Sequence, residues 1–268
     1  MNIFSKLFRF FAVSFGKHNF IFLFNLRAFL KGNDTRVSYR SDLSFFLAKD
    51  SKHQQYFQAK LQNYNCFNNG LSYRANKIGE DYFLSLIEFK PKDLVIDCGA
   101  NIGDLKLYFE ENKIEVDYVG IEPSKSEYNC LIKNIYPSSA YNLALWSANE
   151  TIDFYISSDN ADSSIFMPRR YIKKVSIKAI RLDDIIFNPI KLLKLEAEGA
   201  EMDVLIGAQK ILSKIEYISA DLGCEKGIEE SSPFVEVKDW LIENNFYLVQ
   251  YNSLRMTALF HNSEYINS

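Results

Sequence analysis

Two groups of residues have the types and spacing to do chemistry. The first is Asp97-Cys98-Gly99-Ala100-Asn101-Ile102-Gly103, one acid and two glycines between a short apolar run and a helical stretch. Gly99 can take positive φ in a tight turn and lets a ligand approach the backbone. Gly103 does the same where a helix begins and its N–H groups await acceptors. Glu122, followed by Pro123, comes 23 residues after Gly99; a carboxylate there can accept both hydroxyls of a ribose held over the glycine loop. The spacing is GxxxG rather than the GxGxxG that brings a pyrophosphate onto a helix N-terminus, and no basic residue stands in the loop to meet phosphate. An acid at this loop suits a ligand with a positive amino group, and S-adenosylmethionine is such a ligand.

The second group is Lys194, Glu196, Glu198 and Glu201. They gather at the end of a strand and the first turn of the next helix, and strand alternation puts Glu196 and Glu198 on the same face. Crowded like charges raise at least one carboxyl pKa toward working pH, which suits a general base. The same acids with Asp221 also suit a divalent ion, so a metal stands beside the base as an alternative. Lys194 either orients an acceptor or pairs with these acids. The plain alternative for Glu201 is that it complements a helix dipole.

Repeated βα units must position these residues. The apolar runs predict strands at Leu94–Ile96, Val116–Ile121, Tyr141–Leu145, Ile190–Leu195 and Ile215–Ala220, with helices at Asp104–Asn112, Lys125–Ile135, Ala200–Leu212 and Val235–Asn244. Thr151–Ile156 and Val175–Ile180 alternate as an inserted or edge hairpin. Phe246–Tyr251 and Met256–Phe260 close the chain; their short link requires an antiparallel pair. The pattern is an α/β doubly wound sheet, mostly parallel, with an antiparallel last strand and helices on both faces.

The chain has 268 residues, 47% hydrophobic and 24% charged, so it is long enough for one large domain or a core with an appendage. A net charge of −3 argues against a nucleic-acid partner bound by bulk positive charge. Cys66, Cys98, Cys130 and Cys224 show no metal-ligand spacing and read as reduced thiols in a cytoplasmic protein, with Cys98 and Cys130 in inert packing. Residues 1–40 carry seven Lys/Arg against Asp34, hence +6, and leave −9 for the rest. Phe4, Phe8, Phe11 and Phe15 recur there at helical spacing. Such a segment either packs onto the core or makes a peripheral contact with anionic membrane. His18 and His53 read as surface residues of this appendage, and His261 as a residue that can approach the acceptor side. Tyr64 to Tyr73, with Asn63, Asn65, Asn68 and Asn69, reads as a surface loop or an acceptor lid.

Val95 to Asp104 resembles the first motif of the FkbM family of S-adenosylmethionine-dependent methyltransferases, and Gly120-Ile121-Glu122-Pro123-Ser124 its second. Asn142 to Ser147 is similar to the segment after that family's third strand, and Ser163-Ser164 to its small-residue loop. Lys194 to Glu201, followed by Val204-Leu205-Ile206-Gly207-Ala208, resembles its more specific signature. The resemblance covers about residues 75 to 261. It implies a class I methyltransferase (Rossmann-like) fold with a seven-stranded sheet at 75–268, preceded by a helical, basic, aromatic-rich appendage at 1–74.

The resemblance also implies O-methylation of a sugar, glycan or related small-molecule hydroxyl. Asp97, Gly99, Ala100, Asn101 and Gly103 would surround the methionine part of S-adenosylmethionine, Glu122 with Pro123 would hold the ribose, and Ala144 would lie near the adenine. Lys194, Glu196, Glu198 and Glu201 would form the catalytic end. The family usually has Asp-Val where this chain has Glu196-Ala197, which extends one carboxylate by a methylene. The competing readings are an NAD(P)-dependent oxidoreductase, against which the missing glycine counts, and a non-catalytic cofactor-binding scaffold. Base N-methylation lacks its Asp/Asn-Pro-Pro-Tyr/Phe motif, and radical chemistry lacks a CxxxCxxC cluster.

Overall fold

The computed structural model describes residues 3–14, 16–58, 60–156, 163–169, 171–224 and 226–265. The chain opens with α1 (Ile3–Ser14) and α2 (Lys17–Leu30), then an antiparallel sheet of β1 (Arg36–Arg40), β2 (Phe45–Lys49) and β3 (Gln54–Phe57), then α3 (Lys60–Phe67) and α4 (Leu71–Asp81). The appendage is therefore not helical throughout. The run Phe45-Phe46-Leu47-Ala48 is buried on both faces and lies between turns, too short a run for a helix to use. Phenylalanines build the core of this part. Phe20 makes edge contacts with Phe46, Phe57 and Tyr64, and Phe46 stacks on Phe57 at 5.3 Å. Phe15 lies outside the described residues.

The stretch from Tyr64 to Tyr73 is the end of α3, a turn and the start of α4 rather than a loop. Tyr64 is buried, Asn68 Oδ1 accepts a bond from Arg27 Nε at 2.7 Å, and Asn69 Oδ1 accepts one from Lys31 Nζ at 2.6 Å. These contacts tie it to α2, which leaves it poorly placed to act as a lid. His53 also departs from the surface reading: it is buried, with Nε2 3.3 Å from Glu111 Oε2 where the appendage meets the core. His18 is exposed.

The larger unit follows as β4 (Asp93–Cys98), α5 (Asp104–Glu111), β5 (Val116–Ile121), α6 (Lys125–Asn134), β6 (Ser139–Tyr141), β7 (Ala144–Leu145), β8 (Glu150–Ile156) and β9 (Lys173–Ile180). It ends with β10 (Ile190–Leu195), α7 (Glu201–Ile206), β11 (Ile215–Asp221), α8 (Phe234–Glu243), β12 (Phe246–Asn252) and β13 (Thr257–Asn262). The main sheet has seven strands in the order β12-β13-β11-β10-β4-β5-β6. β6, β5, β4, β10 and β11 run parallel, and β13 is antiparallel to both its neighbours. Strand order reverses between β4 and β10, which opens a crevice at the carboxyl ends of these strands. β10 is buried along its whole length, as a central parallel strand should be. No helix of the described residues is long and apolar enough to cross a membrane.

Two elements differ from the sequence expectation. Tyr141–Leu145 is not one strand, because the Asn142 side chain donates to the carbonyls of Glu122 (2.9 Å) and Pro123 (3.0 Å) and the chain turns there. β7 then pairs with β9 in a separate sheet of order β7-β9-β8. The expected helix at 200–212 ends at Gly207, where a Cβ would lie 2.0 Å from the Trp146 carbonyl oxygen; Gln209–Lys214 is a 3-10 segment. His261 sits beside Tyr217 and Tyr247, near the start of β11. Because β13 runs antiparallel, that is the opposite end of the sheet from the glycine loop, so His261 does not approach the acceptor side.

Asn134 joins the appendage to the core. Its Oδ1 accepts the Tyr56 N–H at 2.7 Å, while Nδ2 donates to the Tyr56 and Ile102 carbonyls at 2.9 and 2.7 Å. At ~1 kcal/mol net per bond, Asn134→Ala should lower unfolding free energy by about 2–3 kcal/mol in urea titrations. A loss under about 0.5 kcal/mol would contradict this coupling.

Candidate active site

The glycine loop follows β4 as expected. Gly99 has φ 69°, and a Cβ added to it would lie 1.9 Å from the Glu196 carbonyl oxygen. Glycine is therefore required where the ends of β4 and β10 touch. Asn101 is also left-handed, at φ 51°, and its side-chain Oδ1 is buried without a hydrogen-bond partner. Gly103 at φ 90° precedes α5, and Ala100 is buried beneath the turn.

Lys194 lies at the centre of the crevice, almost wholly buried at 3% side-chain exposure. Its Nζ is 2.8 Å from Glu196 Oε2 and 3.1 Å from Asp97 Oδ1, and it donates to the carbonyls of Gly99 (2.8 Å) and Cys98 (3.2 Å). Of the two options open to it, ion pairing is what is observed. Burial alone would lower the Lys194 pKa, but Asp97 and Glu196 outweigh it and raise it above its ordinary value. Asp97 turns into the sheet, where Tyr118 also donates to it, and burial pushes its pKa up despite both partners. Glu196 is 34% exposed at the side chain. Burial opposes its ionisation too, but Lys194 and a 2.8 Å bond from the Tyr82 hydroxyl hold its pKa below the ordinary value.

The other acids divide by environment. β10 ends at Leu195, and Glu198 lies in a turn at φ 51°. Strand alternation therefore does not reach it, and its relation to Glu196 is set by the turn. Ser164 Oγ donates to the Glu198 carbonyl at 3.0 Å, so the small-residue loop braces this turn. Glu201 is buried, and its Oε1 accepts the Ala197 and Gly199 N–H groups at 2.9 and 3.2 Å; burial raises its pKa to about 7. Its Oε2 is buried with no partner. Asp221, suggested above as a metal ligand, is held by Arg255 at 2.9 Å. Among the described residues no three His, Cys, Asp or Glu side chains gather with metal-binding geometry.

Glu122 directly follows β5, buried, with Oε2 accepting the Asn101 N–H and Oε1 the Ser124 N–H, both at 2.8 Å. Its carboxylate thus fixes the glycine loop to the next strand end. Burial raises its pKa to about 8 against the pull of those two bonds. Each carboxylate oxygen retains acceptor capacity beyond its one backbone bond. Pro123 is half-buried and Ala144 buried along the same rim. Cys98 and Cys130 are packed, and burial raises both thiols, Cys130 to about 12. Tyr82, Tyr118, Arg74 (2.8 Å from Asp104) and Arg255 complete the charge balance; none was singled out from sequence. Their partners are distant in the chain, and no local spacing announces them.

A family model for the methyltransferase FkbM domain matches residues 97–248. The chain belongs to the FkbM methyltransferase family. It is therefore an S-adenosylmethionine-dependent methyltransferase, and the oxidoreductase alternative falls. The chain is similar to the 2-O-methyltransferase NoeI of Sinorhizobium fredii (strain NBRC 101917 / NGR234), 24% identical over 181 residues, with 59% of this chain and 74% of the relative covered. It is also similar to Methyltransferase 1 of Beauveria bassiana (strain ARSEF 2860), 23% identical over 194 residues, covering 57% of this chain and 77% of the relative. A crystal structure of the methyltransferase FkbM from Methylobacillus flagellatus KT aligns with a TM-score of 0.48 and 16% identity, over 66% of this chain and 45% of that one. This chain thus spans under half of that solved chain.

The residues fit S-adenosylmethionine on their own terms. The unpartnered Asn101 oxygen and the acid Glu122 stand together at the crevice, with no Lys or Arg in the loop itself.

The two kinds of carboxyl give a pH signature. Glu122 rises from 4.5 to about 8 and Glu201 from 4.5 to about 7 in the fold. The folded chain then keeps protons that the unfolded chain has released, so these groups make stability fall as pH rises from about 4.5 to about 8. Glu196 acts oppositely: its depressed pKa contributes stability above 4.5 that is lost as pH drops below. Urea titrations of the cofactor-free protein should show stability declining between pH 5 and 8. Glu122→Gln should make that decline shallower by up to about 1.4 kcal/mol per pH unit, one proton's worth. An unchanged slope would contradict the placement of Glu122.

Proposed function

We propose that the chain transfers a methyl group to a hydroxyl of a sugar, glycan or related small molecule. The observation that carries this reading is Glu196: an ionised, partly exposed carboxylate beside the glycine loop, with one oxygen fixed by Lys194 and Tyr82. The relative NoeI is a 2-O-methyltransferase, which supports an oxygen acceptor.

Bound S-adenosylmethionine supplies a methyl group already activated on a sulfonium. The chain's own task is to hold the acceptor oxygen ~3–3.5 Å from that carbon and to take its proton. A hydroxyl gaining a third bond becomes strongly acidic, so a carboxylate of depressed pKa suffices to accept the proton. Glu196 has that role in this proposal. Lys194 and Tyr82 position it, and its extra methylene relative to Asp lets one oxygen meet both of them. Glu198, on the neighbouring turn, faces the acceptor side in this reading. Glu201 holds the turn through two N–H bonds and acts on structure rather than on protons. Gly99, Ala100, Asn101 and Gly103 would line the amino-acid part of the cofactor, with Asp97 fixing the loop from behind through Lys194. Glu122 would accept the ribose hydroxyls, while Pro123 and Ala144 would border the base. Scattered free thiols favour a cytoplasmic setting.

The test is S-adenosylhomocysteine release with a panel of free sugars, nucleotide sugars and oligosaccharides, with amine acceptors as controls. Glu196→Gln should lower kcat by about 10²–10⁴ while leaving S-adenosylhomocysteine affinity within about threefold. Turnover on amines alone, or full activity in Glu196→Gln, would overturn the proposal. Cofactor binding without turnover on any acceptor would favour a scaffold.

A further inference from the structure

The outward face of the two N-terminal helices is as apolar as the inward one. On α2 the inward side is Phe20, Phe24 and Ala28, each at most 2% exposed. With 100° per residue, the opposite side falls at Phe22, Leu26 and Phe29, with Leu30 adjoining. These four are 65%, 38%, 69% and 71% exposed. On α1, Leu7 and Phe10 add exposures of 53% and 63%. A helix that is apolar all round needs cover on both sides, and a soluble surface seldom carries so many large apolar side chains together.

Charge selects the occupant. Residues 1–33 contain no Asp or Glu and five cations: Lys6, Arg9, Lys17, Arg27 and Lys31. Lys17 and Lys31 are exposed at opposite ends of α2, with His18 on the first turn. A second copy of the chain would set this +5 segment against another +5 segment. We infer that α1 and α2 form a docking surface for an anionic lipid bilayer, with Phe22, Phe29 and Leu30 entering the headgroup–acyl boundary and the net positive charge of the segment attracting the anionic headgroups. Apolar tips flanked by Lys and Arg on a helix that is too short and too interrupted to span have this mode of binding. The inference is independent of the acceptor, because none of these residues belongs to the crevice.

Vesicle co-sedimentation tests it, using phosphatidylcholine alone and phosphatidylcholine mixed with phosphatidylglycerol. The full chain should bind the anionic vesicles at least about tenfold more tightly than the neutral ones, and salt should weaken that binding. Phe22→Ser/Phe29→Ser/Leu30→Ser should weaken binding at least about tenfold, and Lys17→Glu/Lys31→Glu should remove the preference for anionic lipid. Unchanged S-adenosylhomocysteine affinity in both variants would report that they fold. No vesicle binding by the wild type, or equal binding by the triple variant, would overturn the inference. A wild-type dimer in light scattering that the triple variant dissolves would overturn it as well, in favour of a second copy on this face.

Discussion

The arrangement of the crevice depends on one buried cation. Lys194 stands next to the carboxyl end of a strand with no exposed position, and an ammonium there is tolerable only if its partners are fixed. Two carboxylates and two carbonyls supply them, and they come from both sides of the point where strand order reverses. The ends of β4 and β10 are thereby locked together, which is also why Gly99 has no room for a side chain. The shared charge is not divided evenly. Asp97, at 1% exposure, suffers the larger burial penalty, while the partly exposed Glu196 stays ionised. One residue in the pair is structural and the other is left available to the crevice.

Around this centre the segment that joins the appendage to the core contributes to the site. Tyr82, which follows α4 directly, donates to Glu196, and its own carbonyl accepts from Ser219 on β11 at 2.8 Å. Arg74 on α4 pairs with Asp104 at the start of α5. Asn134 and His53 tie β3 and the turn before it to α6 and α5. Glu196 and the phenylalanine core, roughly 130 to 175 residues earlier in the chain, are thus joined through α4, whose Leu71 and Ala75 belong to that core. Methylation chemistry and appendage stability should respond together to damage in either part.

Much of the framework was legible in the residues. Parallel strands declared themselves through short apolar runs, because a strand buried on both faces has few polar positions; Val116–Ile121 and Ile190–Leu195 have the expected bounds. The glycine loop and Glu122 were legible because local backbone geometry constrains residue type. What was not legible depends on partners distant in sequence. Asn142 divides an apolar segment between two sheets through carbonyls twenty residues away, and Trp146 ends a helix at Gly207. The β-hairpin at Phe45–Phe57 was hidden by flanking helices equally rich in phenylalanine, whose composition does not separate period 2 from period 3.6. The acid cluster at 196–201 was visible as a charge pattern, but its division into an ionised carboxylate and a buried turn brace follows from Lys194, Tyr82 and the bend at Glu198.

If the loop from Asp97 to Gly103, fixed by Glu122, holds S-adenosylmethionine, removing the Glu122 carboxyl must weaken binding of that cofactor. Calorimetric titration of S-adenosylhomocysteine and of NAD into the wild type and Glu122→Ala tests it most directly. Two ribose hydroxyls bonded to Glu122 at ~0.5–1.5 kcal/mol each give binding that the variant weakens by roughly 5- to 150-fold, with no heat from NAD. Equal affinity in the two proteins, or a folded wild type that binds NAD and not S-adenosylhomocysteine, would contradict it.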